Sequence, residues 1–508
     1  MILVRRLVKR VFNSYYETVE QFMEKPLQVQ EANFKYLLEH GKNTYIGHQH
    51  GFDNIKGISD FQKKVPVAKY EDLRPYLDRI ILYQQKNVLW DTPVKWFAMS
   101  SGTTNDKSKY IPVTEESLQN CHYRSGYHML ALYANSYPDA AYVFGKTLVL
   151  GGSQQVNNIG GDIFTGDISA ILMKNVPFWV KFARTPEELA LIPDWEEKLE
   201  KLSAYAIKQD IRAFVGVPSW MLVLLKKIAK DTGQRMDELW PNLEVFFHGG
   251  VNFAPYEAQY NKLIQSPNMR YWETYNASEG FFGVQYSEES KDMLLLLDNE
   301  IFYEFIPVEE LHNGNYHDVQ TVTLAEVEVG KQYAMLITTS GGLWRYKIGD
   351  TIMFTSLTPH LFRITGRTKQ FINAFGEELI VDNADKALQK ACEATRSKIV
   401  EYTAAPIYFN DNDSGAHEWF IEFEETPDNM EAFVQLLDKY LKELNSDYEA
   451  KRSNNLSLSQ PVIHAVEKGM FYNWMEHREK AGGQNKVPKL SNDRKYVEDI
   501  LQFMHDKS

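Results

Sequence analysis

Residues 99–114 read MSSGTTNDKSKYIPVT, between VKWFA (94–98) and a helical pattern that starts near Glu115. Small and hydroxylated residues come first, then a charged patch, then an apolar step with a proline. That order suits neither a core strand nor an amphipathic helix, so the stretch reads as a loop. A polyphosphate needs donors that can approach its crowded negative oxygens closely. Gly102 lets the backbone approach, and Ser100, Ser101, Thr103 and Thr104 carry hydroxyls beside their own N–H groups. Lys107 and Lys109 add positive charge. No GK[ST] follows, so this is not a Walker loop. Taken alone, the run reads more readily as an ordinary loop or helix cap.

With 508 residues the chain is long enough for two or three domains and a substantial buried core. A net charge of −13 argues against a general binder of nucleic acid or anionic membrane, so any anion must be held by a local site. Cys121 and Cys392 lie far apart and in no CxxC pairing. That fits a reducing compartment and excludes a disulfide scaffold or a cysteine zinc site. No apolar run reaches the roughly 18 residues of a spanning helix. The opening MILVRRLVKRVF is basic, but its apolar residues alternate with charge and form no signal-peptide core. A surface helix packed on the body is preferred there to a membrane-surface contact. The expectation is a cytoplasmic monomer with no nucleic-acid partner and no stable membrane association.

Helical patterns fill the first 95 residues, and a long amphipathic helix is predicted from Glu115 to Asn135. TLVLGG reads as a strand ending in a glycine turn, and SQQVNNIGGDIFTGD after it as a polar loop with few core candidates. Helices are predicted near 186–208 and 219–232, followed by LEVFFHGG, a buried strand stopped by two glycines. MRYWETYNASEG repeats that arrangement. MLLLLD, IFYEFIPV and YAMLITTSGG read as strands, and LWRYKIGDTIMF as a turn between two more. Beyond GRTKQFINAFGEELIV the pattern becomes a separate α+β domain, with helices near 382–398 and 428–444 and strands at EYTAAPIYF and EWFIEFEE. The fold class is therefore α/β: a large body with a β subdomain, then a small α+β domain. There are no internal repeats and no low-complexity tract.

Three further clusters make the first stretch part of a site. In HGG (His248, Gly249, Gly250) a buried strand ends in glycines, where a flat ring could lie on the backbone. In TYNASEG a tyrosine that can stack on a base, Tyr275, precedes Glu279, whose carboxylate can hold a divalent cation. In YKIGD, Asp350 follows a glycine turn, where an acid can hold ribose hydroxyls. Singly, Tyr275 is an ordinary core aromatic, Glu279 a helix N-terminal acid and Asp350 a turn residue. The order of all four clusters is harder to obtain by accident. AAYVFGKT (140–147) satisfies a loose Walker spelling, but its body is Tyr-Val-Phe and a strand follows, so it is a chance match.

SSGTT…K…P, YNASEG and YKIGD resemble the three nucleotide motifs of the GH3 acyl acid–amido synthetases, within the adenylate-forming superfamily of acyl-CoA synthetases, peptide-synthetase adenylation domains and luciferases. GRTKQFINAFGEELIVDNADK resembles the segment that opens that superfamily's small C-terminal domain, and GGQNKVPKLSND the family's QYKxPR element. The resemblance implies the adenylate-forming fold: an N-terminal domain, 1–367, with β-sheets and a β-barrel-like subdomain, and a small mobile C-terminal domain, 368–508. It implies ATP and Mg²⁺, and a reaction that adenylates a carboxylic acid and passes the acyl group to an amine, most naturally an amino acid. By the same resemblance, Ser100, Ser101, Gly102, Thr103 and Thr104 wrap the phosphates, with Thr103 among the catalytic residues. Gly249, Gly250 and Tyr275 flank the adenine, with Ser278 beside them. Glu279 holds Mg²⁺ near the α-phosphate, Asp350 holds the ribose, and Arg367 reaches the nucleotide across the domain junction. Lys486 is the mobile catalytic lysine, Lys386 a weaker candidate for phosphate contact, and the hinge falls near Thr368–Lys369.

The chain departs from the family pattern at Asp106, where a glycine is usual, and at Lys347 and Lys489, where arginine is usual. In the helix after the phosphate loop, Arg124 and His128 stand four apart on one face. They suit a clamp on a substrate carboxylate, although an ordinary surface pair is the preferred reading. His48 and His50 resemble a metal pair, but with no third ligand in view a solvated turn is preferred. Two rivals stand beside the amido synthetase. One is an acyl-CoA synthetase with a thiol acceptor; the other is a nucleotide-binding protein that has lost catalysis, for which Asp106 leaves room.

Overall fold

The computed structural model describes residues 2–101, 108–151, 156–176, 178–313, 319–367, 371–409, 414–452, 458–478 and 487–507. Five helices open the chain: Ile2–Glu24, Pro26–Gly41, Tyr45–His50, Ile58–Lys64 and Tyr70–Ile81. Their apolar faces are buried against the main sheet, with Val19, Phe22, Phe34 and Leu73 in one core with Phe302 and Ile337. The side chain of Gln30 fixes the second helix in register. It donates to the carbonyls of Leu297 and Ile301 at 3.1 and 2.9 Å and accepts from the Tyr303 N–H at 2.9 Å.

Strands β1 (Trp96–Ser101) and β2 (Ser108–Val113) form an antiparallel hairpin, followed by β3 (Lys146–Val149), β4 (Asn157–Gly160) and β5 (Ile163–Gly166). Then come β6 (Ile211–Gly216), β7 (Val245–Gly249), β8 (Arg270–Ala277), β9 (Gly280–Gln285) and β10 (Met293–Leu295). After them run β11 (Ile301–Pro307), β12 (Val322–Thr323), β13 (Gln332–Thr339), β14 (Tyr346–Leu357) and β15 (His360–Arg367). One small sheet has the order β2-β1-β5-β4, and the main eleven-stranded sheet the order β12-β11-β13-β14-β15-β10-β9-β8-β7-β6-β3. The strands β3, β6, β7 and β8 are parallel, and their crossovers include the helices Trp195–Ala206, Pro218–Thr232 and Ala254–Leu263. From β8 onward neighbours in the sheet pair antiparallel. The main sheet thus changes from parallel to antiparallel at YNASEG.

The remaining strands are β16 (Phe371–Ile372), β17 (Leu379–Ile380), β18 (Lys398–Ile407), β19 (Ala416–Glu425) and β20 (Val462–Val466). With the helices Val381–Thr395, Met430–Leu444, Ser446–Arg452, Met470–His477 and Lys495–Lys507 they make the expected α+β arrangement. Its core is continuous with that of the preceding body: Phe375, Leu388, Trp419 and Leu437 share one apolar cluster with Leu222, Phe246 and Tyr256.

Several local expectations change. The strands of 293–367 prolong the main sheet in an open order, so the barrel-like closure does not appear among the described residues. The glycine-rich stretch after TLVLGG holds the hairpin β4–β5, whose Ile163 and Thr165 are buried; register with β1 orders it where composition suggested a loop. Met99–Ser101 and Ser108–Thr114 belong largely to strands rather than loop, because hairpin pairing satisfies their backbone. YKIGD is not a turn. Gly349, at φ +103°, bends the single long strand β14 at an irregularity in its pairing with β13, and Asp350 lies within that strand. The helix expected over 115–135 forms, but Ser117–Tyr123 is wound as a π-helix before Arg124–Ser136, and Cys121 turns inward to accept from the Phe281 N–H at 3.4 Å. His48 and His50 sit on the short helix Tyr45–His50 instead of a turn, capped by Thr44. AAYVFGKT runs from a 3₁₀ turn into β3, the opposite of a strand-to-helix Walker loop.

Candidate functional site

The candidate residues gather at the carboxyl ends of the parallel strands, where the sheet changes direction, the place at which open α/β sheets bind their ligands. At the end of β7, Gly249 lies so close to β8 that a Cβ there would meet the Thr274 carbonyl oxygen at 2.4 Å. Gly250 takes φ +84°, a conformation that suits glycine. The Thr274 hydroxyl donates to the His248 carbonyl at 3.0 Å and ties the two strands together. His248 is buried and stacks on Phe253 at 4.4 Å, and burial pushes its pKa down to about 3, so it is neutral. The glycine backbone therefore carries no side chain on a flat surface.

The next strand carries Tyr275, after which Ser278 and Glu279 form the turn between Ala277 of β8 and Gly280 of β9. Glu279 is thus at a hairpin tip, not a helix N-terminus, because β9 returns directly along β8. The Tyr275 hydroxyl donates to Asp350 Oδ2 at 2.5 Å, and the Tyr346 hydroxyl donates to Glu279 Oε1 at 3.5 Å. Two motifs far apart in sequence are therefore joined twice. Asp350 also pairs in register with Arg367 of β15, which brings the backbone of the GR motif alongside it. The Arg367 side chain is outside the described part of the structure.

The position of β14 is set just upstream by a residue that sequence reasoning missed. Arg345, at φ +45°, is buried against Glu304, with two contacts of 3.0 Å. Its remaining N–H groups reach Thr321 Oγ1 at 2.8 Å and the carbonyls of Gln62 and Val65 at 2.8 and 2.5 Å. Every donor of the guanidinium has an acceptor, as a buried cation requires. Tyr346 was also missed. The only signal for either was adjacency to KIGD.

In the stretch 99–114, Ser100 lies opposite Lys109 and Ser101 opposite Ser108 in the β1–β2 hairpin. Gly102, Thr103, Thr104, Asp106 and Lys107 lie outside the described residues, as do Lys486 and the hinge positions Thr368 and Lys369. Lys386 pairs with Asp382 one helical turn away at 3.1 Å. Lys489 pairs with Glu401 and lies 4.4 Å from the centre of the Tyr402 ring. Arg124 and His128 do not form a surface pair. Arg124 donates to the Asp298 carbonyl at 3.0 Å, while His128, fully buried, faces Asp298 Oδ1 at 3.5 Å and Thr18 Oγ1 at 3.1 Å. The π-wound turn ahead of them directs this face of the helix into the body. Burial and the Arg124 charge push the His128 pKa down to about 3, and burial pushes the Asp298 carboxyl up to about 6.

Among the described residues no group of three or more His, Cys, Asp or Glu side chains could hold a metal by itself. Glu279 fits the mode in which one carboxylate and the phosphates of a nucleotide hold the ion together. The bare glycine backbone, the Tyr275–Asp350 pair and the half-buried carboxylate of Glu279 at the hairpin tip suit a base, a ribose and a phosphate-bound cation in that order. No helix among the described residues is long and apolar enough to cross a membrane.

Comparison with known proteins finds similarity over most of the chain. Residues 15–269 match the GH3 family N-terminal domain, 294–367 the GH3 family central domain and 382–495 the GH3 family C-terminal domain. A jasmonoyl–L-amino acid synthetase of Nicotiana attenuata is 23% identical, over 93% of this chain and 92% of its own length. An indole-3-acetic acid-amido synthetase of Arabidopsis thaliana is 23% identical, over 93% and 90%. In fold, the chain is similar to the GH3.15 acyl acid amido synthetase in complex with 2,4-DB, with a TM-score of 0.62 at 18% identity over 97% of this chain and 96% of that one.

Proposed function

This chain belongs to the GH3 family, and from that premise we propose that it is an ATP-dependent acyl acid–amido synthetase. A carboxylate oxygen of the acid attacks the α-phosphorus of ATP and pyrophosphate leaves, giving an acyl-adenylate. The amine of an amino acid then attacks the acyl carbonyl, the C–O bond to phosphate breaks, and AMP leaves with the amide formed. The relatives named above are synthetases of this class, and the meeting of Tyr275 with Asp350 at the carboxyl end of β8 is the observation that carries the reading to these residues.

In this reading Gly249 and Gly250 receive the adenine face and Tyr275 borders it while orienting Asp350, which accepts the ribose hydroxyls. Ser100, Ser101 and the loop 102–104 hold the phosphates, and Ser278 and Glu279 face the α-phosphate side. A magnesium ion held by Glu279 and the nucleotide would neutralise charge as pyrophosphate departs. Lys486 would supply the same service from the C-terminal domain, with Arg367 approaching from β15. The separate matches to 294–367 and 382–495 support a boundary near 367/368 between a nucleotide- and acid-binding domain and a small mobile one. The contacts of half-buried Arg124 and buried His128 with Asp298 support a part in shaping the body behind the acid site more than direct contact with substrate.

The test is ATP–pyrophosphate exchange with magnesium across a panel of aryl, indolyl and fatty acids, followed by amino acids and coenzyme A as acceptors. Acid-stimulated exchange with amide formation is expected. Exchange with thioester formation alone would make it an acyl-CoA synthetase, and nucleotide binding without exchange would favour lost catalysis. Lys486→Ala should cut exchange about a hundredfold while sparing ATP binding; an unchanged rate would remove that lysine from the mechanism.

A further inference from the structure

The β1–β2 hairpin leads into the π-wound turn Ser117–Tyr123, and that turn reaches across to the hairpin tip between β8 and β9. Its start is fixed by a reciprocal pair: the Thr114 N–H donates to Ser117 Oγ at 3.0 Å, and the Ser117 N–H to Thr114 Oγ1 at 3.1 Å. The Thr114 hydroxyl also donates to the Ser340 carbonyl at 2.8 Å, which ties the turn to the loop between β13 and β14. The Arg124 N–H then bonds the Gln119 carbonyl, five residues back, so the turn holds one residue more than an α-helical turn would. That extra residue aims Cys121 inward. Its Sγ accepts from the Phe281 N–H at 3.4 Å, while Asn120 Nδ2 beside it donates to Glu300 Oε1 at 2.8 Å.

Phe281 stands just beyond Glu279 in the chain, separated from it by Gly280. Further along β9 the backbone is held by neighbouring strands, and the Leu296 N–H donates to the Phe282 carbonyl at 2.9 Å. Toward the tip the β8–β9 register slips between Tyr275 and Asn276, and at Phe281 side chains take over. Cys121 receives the Phe281 N–H, and Asn299 Nδ2 donates to the Phe281 carbonyl at 2.7 Å. Both side chains are buried, Asn299 completely, so water does not replace either bond. Burial pushes the Cys121 thiol up to about 12, so its sulfur accepts as a neutral atom. We propose that Cys121 and Asn299 are positioning residues for the metal-holding carboxylate: by gripping Phe281 they fix the Glu279 tip relative to the β1–β2 hairpin. The inference rests on the adenylating reading above, in which the hairpin holds the phosphates and Glu279 the ion bound to them. A magnesium ion shared by a carboxylate and a phosphate demands near-ideal geometry, so the two protein parts must keep a set separation. The π-wound turn sets it, because it continues from β2 and touches β9.

Calorimetric titration of the full chain with ATP, once in excess magnesium and once in EDTA, tests this. The ratio of the two dissociation constants reports what the ion adds to binding, and a general loss of nucleotide affinity cancels from it. Cys121→Val stays apolar but leaves the Phe281 N–H without its acceptor. It should lower the ratio about tenfold, the scale on which lost support behind a metal-binding group is felt. Asn299→Leu should act in the same direction, and Cys121→Ser, which restores an acceptor, should keep the wild-type ratio. Unfolding midpoints show whether each variant is folded; if Asn299→Leu is not, the two Cys121 variants decide. Glu279→Gln should bring the two constants together. An unchanged ratio in Cys121→Val, or an equal fall in Cys121→Ser, would overturn this inference alone. No magnesium effect in the wild type, or a full one in Glu279→Gln, would overturn the metal role of Glu279 and this inference with it. A wild-type chain that does not bind ATP would overturn the adenylating reading as well.

Discussion

At the scale of single residues, two contacts do most to define the site. A hydrogen bond to a charged group is worth about 1.5–3 kcal/mol, so Asp350→Ala should raise the KM for ATP about tenfold to a hundredfold. Since a ribose contact is made equally in the ground and transition states, kcat should change little, and a matching fall in kcat would exclude the ribose role. Tyr275→Phe, which removes the 2.5 Å donor from Asp350, should move KM in the same direction by a smaller factor. At Gly249 the chemistry is steric: the 2.4 Å approach to Thr274 means that Gly249→Ala must push β7 from β8 and lower thermal stability by about 1–3 kcal/mol. These residues were legible because glycines at a strand end and an Asp after a glycine are local signals. Tyr346 and Arg345 were not, since what each does depends on a partner, Glu279 or Glu304, that the sheet order brings near.

At the scale of elements, β14 is the piece most dependent on distant partners. Glu304→Gln leaves the buried Arg345 cation without its counter-charge and should cost about 3–5 kcal/mol, read as a lower denaturant midpoint. It should also raise the KM for ATP, because Tyr346 and Asp350 follow on the same strand. The end of β7 provides a titration test. His248 is neutral in the fold, with its pKa pushed to about 3, while the unfolded chain takes up a proton near 6.5. Stability of the wild type relative to His248→Phe should therefore be constant above that upper value. It should fall with acidification at up to about 1.4 kcal/mol per pH unit, read from unfolding midpoints over the acid range. The helical segments and the buried strands were readable because their periodicity reports which face is covered. The hairpin β4–β5 was not, because four exposed residues, Asn157–Gly160, owe their extension to pairing with β5 and carry no apolar alternation. The continuity of β14 through the bend at Gly349–Asp350 was hidden for the same reason: a glycine reads as a turn unless flanking strands hold it.

At the scale of the whole molecule, the C-terminal α+β part is fastened to the body by apolar packing and by a few specific bonds. The Trp220 indole N–H donates to the Phe375 carbonyl at 2.9 Å, Gln259 Nε2 to the Phe409 carbonyl at 2.8 Å, and Asn373 Nδ2 to the Gly250 carbonyl at 3.0 Å. Phe375 is fully buried at the centre of this contact. Phe375→Ala should cost about 3–5 kcal/mol and, if the parts separate as domains, enlarge the radius of gyration measured by small-angle scattering. Loss of stability with no change of size would mean that the two parts unfold as one. The existence of this second part could be read from the change of texture after GRTKQFINAFGEELIV (366–381). The shared core could not, since the apolar faces of the helices Pro218–Thr232 and Ala254–Leu263 do not say whether sheet or neighbour covers them. The ammonium of Lys451 over the Trp220 ring has an optical consequence. A cation held against an indole alters its excited state, and here the indole belongs to the body and the cation to the C-terminal part. Among the ten tryptophans of the chain, the one isolated by the difference between wild type and Trp220→Phe should change its emission whenever that lysine leaves. Emission that stays constant on adding ATP and acid would mean that this lysine keeps its place on the body; a change would mean that the contact opens.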